Sequence, residues 1–376
     1  MRTQQPTVSS SSWNHQLRKY KVCVLLLAAV AVWHIAYFPR SLLLESTADF
    51  VDDTWASGPL KYQSSSDPTK IPGAAMMLVS KPWTQRRGER QCYFNRSMDL
   101  LAKNWLPTND YPIILQHPDG WTETEMRAIR EKWGAELQIH FSKVGSSFHV
   151  KVPSPMEDEE KPLSPLGYKK MCAFKTFGFL KAPYIQNKEI DYMMYIDDDA
   201  CLTEQIKYDV FQKMQQHKVA YAYKQLFLDR NYVVSGLGDF VNNFQKKNKR
   251  KYSNPELAQW LEENGFKAGE ASHWSFGTNL EWIDLKEYQR PDIMKFHKTI
   301  EESGMIFHRR WGDAPLRFLL AYLFWDSTQV MRICSEYMHS HWQPSPSTCT
   351  DDAQTPIIND AVLEQLRNCH LKAMCD

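Results

Sequence analysis

Short apolar runs alternate with helical stretches along most of this chain, and that alternation limits the fold more than any other feature. The runs "AAMMLVS" (74–80), "YPIILQH" (111–117) and "AELQIHF" (135–141) have strand character. Helical stretches separate them, for example "TETEMRAIREKWG" from Thr122, whose first four residues have the form of a capping box. Strand–helix–strand order of this kind predicts a layered α/β domain with a mixed, mostly parallel central sheet. Further along, "GYKKMCAFKTFGFLKAPY" (167–184) predicts one helix and Asp209 to His217 another, while "VAYAYKQLF" (219–227) predicts a strand. Asn254-Pro255-Glu256 has the cap-then-proline start of a helix running to Asn264. The basic "FQKKNKRK" (244–251) reads as an exposed helix end, and "MEDEEK" (156–161) as a solvated insertion.

The N-terminus bears on the compartment. Val22 to Phe38 is apolar throughout apart from His34, and with its flanks it is just long enough for a thin bilayer at about 1.5 Å per residue. Trp33, His34 and Tyr37 sit where a signal peptidase would want small residues. Arg2, Arg18, Lys19 and Lys21 precede the stretch, whereas Glu45, Asp49, Asp52 and Asp53 follow it, so the positive-inside rule predicts a luminal body. The expected organisation is a cytoplasmic tail over 1–21, a membrane anchor over 22–38, a stem over 39–72 and a luminal catalytic domain over 73–376. Asn95-Arg96-Ser97 is a glycosylation sequon suited to that space. Outside the anchor there are seven cysteines, an odd number, so at least one should stay free. A net charge of +1 without a long basic block gives no reason to expect nucleic acid as a partner.

Chemistry concentrates where "YMMYIDDDACL" (192–202) carries an apolar strand into Asp197, Asp198 and Asp199. Three adjacent carboxylates repel one another and need water or a cation to screen them. Two readings fit: a solvated turn, or a metal site at the carboxyl end of a core strand, where ligands of open α/β sheets collect. Period-two alternation would put Asp197 and Asp199 on one side, within reach of a single hard cation whose shell a diphosphate completes. Downstream, Glu281 is the only carboxylate in an aromatic stretch until Asp284, and Asp313 stands at a Gly-Asp-Ala-Pro helix start, where an ordinary N-cap would also explain it. His339 and His341 lie near the end of an apparent strand.

Taken in order, "YPIILQHP", "YKKMCA" (168–173), "HWSFGTNLEW", "RWGDAP" (310–315) and "EYMH" (336–339) resemble the "YPWVFLND", "YRKMCR", "FWSNFEI", "RWGDAP" and "GYxH" stretches of one family. It is that of the fungal Golgi α-1,2-mannosyltransferases of the Kre2/Mnt1 and Ktr type, glycosyltransferase family 15. The resemblance runs from about Ala74 to His341. It implies a GT-A-like fold and a retaining, metal-dependent transfer of mannose from GDP-mannose to a glycan or glycoprotein acceptor in the Golgi lumen. Mn²⁺ or another divalent cation is the implied cofactor, with Asp197, Asp199 and His339 as its ligands and Asp197 and Asp198 as donor contacts. Glu281 falls on the candidate nucleophile or sugar-face carboxylate, and Asp313 on a sugar or acceptor contact. The chain departs from the family where Asp-Asp-Asp replaces Glu-Pro-x-Val and the preceding Trp-Arg is missing. Lys169, Lys170 or Lys175 is then the expected substitute for a diphosphate-binding arginine. A UDP-sugar donor, or an inactive glycan-binding relic tethered to the membrane, are the competing functions.

Overall fold

The structure, a computed structural model, describes residues 71–79, 89–118, 121–145, 148–153, 165–249, 274–333, 337–339 and 372–374, with single positions at 253, 255, 259 and 335. The tail, the anchor stretch Val22 to Phe38, the stem up to residue 70 and the loop "MEDEEK" lie outside these residues, as does most of the helix expected from Asn254. Among the described residues no helix is long and apolar enough to cross a membrane.

The strands are β1 (Gly73–Leu78), β2 (Ile113–His117), β3 (Ile139–Lys143), β4 (Tyr192–Ile196), β5 (Ala200–Leu202), β6 (Tyr221–Tyr223), β7 (Leu226–Leu228), β8 (Trp274–Phe276), β9 (Leu280–Asp284), β10 (Val330–Ile333), β11 (Tyr337–His339) and β12 (Lys372–Met374). Among the described residues, helices of two turns or more are α1 (Glu89–Asn104), α2 (Glu123–Trp133), α3 (Leu166–Thr176), α4 (Val210–His217), α5 (Leu237–Asn248), α6 (Pro291–Ser303) and α7 (Asp313–Phe324). Eight strands form one sheet in the order β12-β10-β6-β9-β4-β1-β2-β3. Every described pairing in it is parallel except those of β9, which runs antiparallel to both β4 and β6. The expected mixed, mostly parallel sheet is therefore present.

Both faces of the sheet are covered, which explains why β4 is apolar at every position rather than at alternate ones. Its Met193 and Tyr195 enter one core with residues of α3, α5, α6 and α7. Tyr192, Met194 and Ile196 enter the other, against α1, α2 and α4. The Thr122 capping box forms as expected, with Thr122 Oγ1 accepting from the Glu125 amide and Glu125 accepting from the Thr122 amide.

Three boundaries differ from the sequence reading. The strand expected over 135–141 starts at Ile139, because the Glu136 and Leu137 amides first turn back to the Trp133 carbonyl. The helix expected over 167–184 breaks at Phe177, where the backbone leaves helical geometry (φ −148°) and a 3-10 turn, Gly178–Lys181, follows. A Cβ on Gly178 would lie 2.8 Å from the Phe148 carbonyl oxygen, so the chain packs there only without a side chain. The strand expected over 219–227 splits into β6 in the main sheet and β7, which leaves to pair with β8.

Candidate active site

The triplet does not continue β4. Asp197, Asp198 and Asp199 form a turn closed by the Ala200 amide bonding to the Asp197 carbonyl at 3.0 Å. Strand alternation is thus the wrong reason for Asp197 and Asp199 to converge, although converge they do. The turn leads into β5, whose antiparallel partner β11 sets His339 opposite Ala200. That register brings His339 Nε2 to 3.1 Å from Asp199 Oδ1 and 3.9 Å from Asp197 Oδ2. One ligand atom from each of Asp197, Asp199 and His339 fits within a 4.8 Å span. From the other side α1 fixes β5, with Ser97 Oγ donating to the Ala200 carbonyl (2.5 Å) and Asn104 Nδ2 to the Leu202 carbonyl (2.6 Å). Burial alone would lower the pKa of His339, but its bond to Asp199 and the charges of Asp199 and Asp197 raise it above the ordinary value. Asp198, between the two, is buried.

Of the three lysines that could serve the acids, Lys175 is the one held against the triplet. Its Nζ lies 2.9 Å from Asp197 Oδ1 and 3.5 Å from Asp313 Oδ2, and 4.6 Å from the centre of the Tyr195 ring. Burial pushes this ammonium down, yet Asp197 and Asp313 more than reverse that and hold its pKa above the usual lysine range. Lys169 does not fit the donor role expected of it. It is buried, and its amine donates to the Phe307 carbonyl, which ties α3 to the one-turn helix Met305–Arg309. Lys170 is half-buried on the same helix.

Asp313 is not the N-cap of α7, a position held by Gly312. Its carboxylate instead accepts from Thr278 Oγ1 at 2.6 Å and from the Cys172 thiol, whose pKa is pushed up by burial and then by the Asp313 charge. The Lys-Met-Cys and "RWGDAP" stretches, far apart in the chain, therefore meet at one carboxylate. Among the described cysteines, Cys172 and Cys201 are both buried.

Glu281 is already paired within the fold. It lies on β9, opposite Tyr195 on one side and Tyr223 on the other, in the middle of the sheet. Arg317 from α7 grips both of its oxygens, with Nε at 2.8 Å and an Nη at 2.9 Å, and the Tyr221 hydroxyl donates to Oε2 at 2.8 Å. The same guanidinium donates to the Lys175 carbonyl at 2.7 Å and lies 4.9 Å from the centre of the Tyr288 ring. The sequence reading missed Arg317. Its signal was present: a lone cation inside the apolar run "APLRFLLAYLFW", four residues after Asp313, needs a buried partner.

Asn95 and its sequon lie within α1, with Asn95 half-buried and the Ser97 hydroxyl buried against Ala200. His341 falls outside the described residues.

An α/β sheet with acids and a histidine gathered at the carboxyl end of a core strand is the layout of a GT-A-like glycosyltransferase, and comparison with solved structures supports that fold. The mannosyltransferase Ktr4p of S. cerevisiae superposes with a TM-score of 0.65 at 20% identity, covering 82% of this chain and 84% of that one. Core-mannan synthase A of Aspergillus fumigatus, solved in a Mn/GDP form, superposes with a TM-score of 0.65 at 19% identity, covering 89% and 95%. The chain belongs to the glycolipid 2-alpha-mannosyltransferase family, which matches residues 108–355, more than half of its length. The glycolipid 2-alpha-mannosyltransferase of Saccharomyces cerevisiae is 27% identical over 163 residues, 43% of this chain and 36% of that protein. An O-glycoside alpha-1,2-mannosyltransferase homolog of Schizosaccharomyces pombe is 23% identical over 344 residues, 79% and 88%. By the shorter alignments the chain spans little more than a third of the yeast and Candida albicans relatives it matches.

Proposed function

We propose that this protein is a retaining, metal-dependent α-1,2-mannosyltransferase that moves mannose from GDP-mannose to a glycan or glycoprotein acceptor. The observation that carries the reading is the convergence of Asp197, Asp199 and His339 at the end of β4 in a chain of this family. Two carboxylates and an imidazole form a donor set that suits Mn²⁺, and the Aspergillus relative was solved with Mn and GDP. Asp197, Asp199 and His339 would hold such a cation, which would supply positive charge to offset that of a departing diphosphate.

The chain's own residues divide the remaining work. Asp197 and Asp199 supply oxygen ligands, and Asp198 lies within the turn that presents them and is assigned to the donor. Lys170 flanks the donor from α3. Asp313, held by Thr278 and joined to Asp197 through Lys175, is the carboxylate assigned to the sugar. Retention needs a carboxylate as nucleophile or as same-face support for a cationic sugar, and Asp313 is the residue to which this reading gives either role. Glu281 has both oxygens engaged, so attack by it would require the Arg317 pair to open. Its assigned task is to hold Arg317, and through Arg317 the end of α3.

The reading places the body in the Golgi lumen, anchored by Val22 to Phe38. Purified full-length chain in detergent, given Mn²⁺, a mannoside acceptor and a panel of sugar nucleotides, should transfer from GDP-mannose. Transfer from a UDP-sugar instead would change the donor. Neither transfer nor donor hydrolysis with any of them would leave a binding protein. A luminal body should also carry a glycan on Asn95, removed by endoglycosidase and lost in Asn95→Gln. Because Ser97 is buried in the fold, that modification must precede the packing of α1 on β5.

A further inference from the structure

We propose that Lys175 is a positioning residue that makes divalent-cation binding at Asp197, Asp199 and His339 depend on a second, anionic ligand, a nucleoside diphosphate. The inference rests on the metal-dependent reading of that pocket, and the surroundings of one ammonium carry it. The Lys175 side chain is 3% exposed, with Asp197 at 2.9 Å and Asp313 at 3.5 Å. The Tyr195 ring closes another side. Its backbone carbonyl is held by Arg317, which the buried Glu281 fixes in turn. The cation is therefore built into the site and is not a mobile surface lysine.

Two consequences follow for a metal. Lys175 takes Asp197 Oδ1, whereas Oδ2 is the oxygen turned toward His339. Asp197 would thus offer a dication the oxygen Lys175 leaves open, on a carboxylate whose charge the ammonium already partly offsets. The ammonium also sits as a fixed positive charge beside the pocket, where two carboxylates are the only acids among the grouped ligands. At contact distances and partial burial such a like charge opposes a dication strongly enough to shift its affinity about tenfold or more. A diphosphate brings negative charge of its own and reverses the balance. Cation and diphosphate then bind cooperatively, and by reciprocity each raises the affinity of the other by the same factor.

The test titrates Mn²⁺ into the full-length protein, reading free Mn²⁺ by electron paramagnetic resonance, without nucleotide and with saturating GDP. Wild type should bind Mn²⁺ about tenfold or more tightly with GDP than without. Lys175→Met should bind Mn²⁺ alone about tenfold or more tightly than wild type does, with a correspondingly smaller gain from GDP. Lys175→Arg, which keeps the charge, should retain the wild-type coupling. Folding is followed by circular dichroism, and Lys175→Gln replaces Lys175→Met if the latter does not fold. A folded neutral variant that binds Mn²⁺ alone no better than wild type overturns the proposal, while Mn²⁺ binding as such survives. Wild-type affinity that ignores GDP overturns it without any variant. Absence of Mn²⁺ binding under both conditions overturns the metal reading and this proposal with it.

Discussion

Asp197, just past the end of β4, and Glu281, on β4's partner β9, are close in the fold, the Asp197 amide bonding to the Asn279 carbonyl, yet the two carboxylates live in opposite surroundings. Asp197, Asp199 and His339 keep 27%, 12% and 16% of their side chains exposed. Glu281 and Arg317 keep 0% and 1%. The first group sets two carboxylates, only partly compensated by Lys175 and His339, at the rim, a poor arrangement for stability and a good one for capturing a cation. The second is a closed pair in which each charge has its counter-charge and its hydrogen bonds. A carboxylate's role is therefore decided here by whether its compensation comes from the chain or must come from a ligand.

The largest effect that could break this contrast is expected at Asp199. Asp199→Asn should abolish nucleotide-dependent Mn²⁺ binding, a loss of several orders of magnitude, and leave the thermal transition nearly unchanged. The change removes one of two like charges and so relieves repulsion in the folded state. Mn²⁺ titration and a melting curve on the same sample decide it. Normal metal and donor binding would return the triplet to a solvated turn, and a large loss of stability would make it structural.

Glu281→Gln should behave in the reverse way. It strands Arg317 in the core, and breaking a buried pair by removing one partner costs about 3–5 kcal/mol. Chemical denaturation should show that loss, and the added change Arg317→Met should recover part of it, because no unpaired charge then remains. Mn²⁺ affinity of any folded fraction should stay close to wild type. A Glu281→Gln protein with full stability and turnover reduced by orders of magnitude would instead put Glu281 back in the reaction as its carboxylate.

How much of this was legible in the sequence follows the same division. The sheet was readable because β1, β2 and β4 are apolar on both faces, and α2 because Thr122 and Glu125 cap it locally. The open acids were readable because three adjacent carboxylates stand out as a run. His339 was reached through the "EYMH" resemblance, since nothing local to that histidine shows that β11 will pair with β5. Arg317 announced in the sequence that it needs a buried partner, but which carboxylate it takes was not readable. Glu281 and Arg317 are 36 residues apart and meet only after α7 docks on the sheet, and a compensated charge looks, in one dimension, like an uncompensated one. The double life of "VAYAYKQLF" was hidden for a related reason: β6 and β7 separate according to which partners are free to pair, not according to side-chain pattern.

A third polar group sharpens the comparison with a smaller effect. His297 on α6 is buried among Phe177, Tyr288 and Phe296, and neither ring nitrogen has a hydrogen-bond partner. It is closed like Glu281 but uncompensated, and it tolerates this by staying neutral: burial pushes its pKa down to about 3. In the unfolded chain the same histidine titrates near 6.5. Below that pH the unfolded state binds a proton that the folded state refuses, so stability is full above about pH 6.5 and falls as the pH drops toward 3. Between pH 7.5 and pH 5 the loss from this one group should be about 2 kcal/mol. His297→Leu fills much of the volume and cannot be protonated, so its stability should fall less over that interval than wild type's does. Denaturation midpoints at pH 7.5 and pH 5 for the two proteins decide it. An equal fall in both would mean that His297 gains a partner on acidification, and that closure without compensation is not what this site shows.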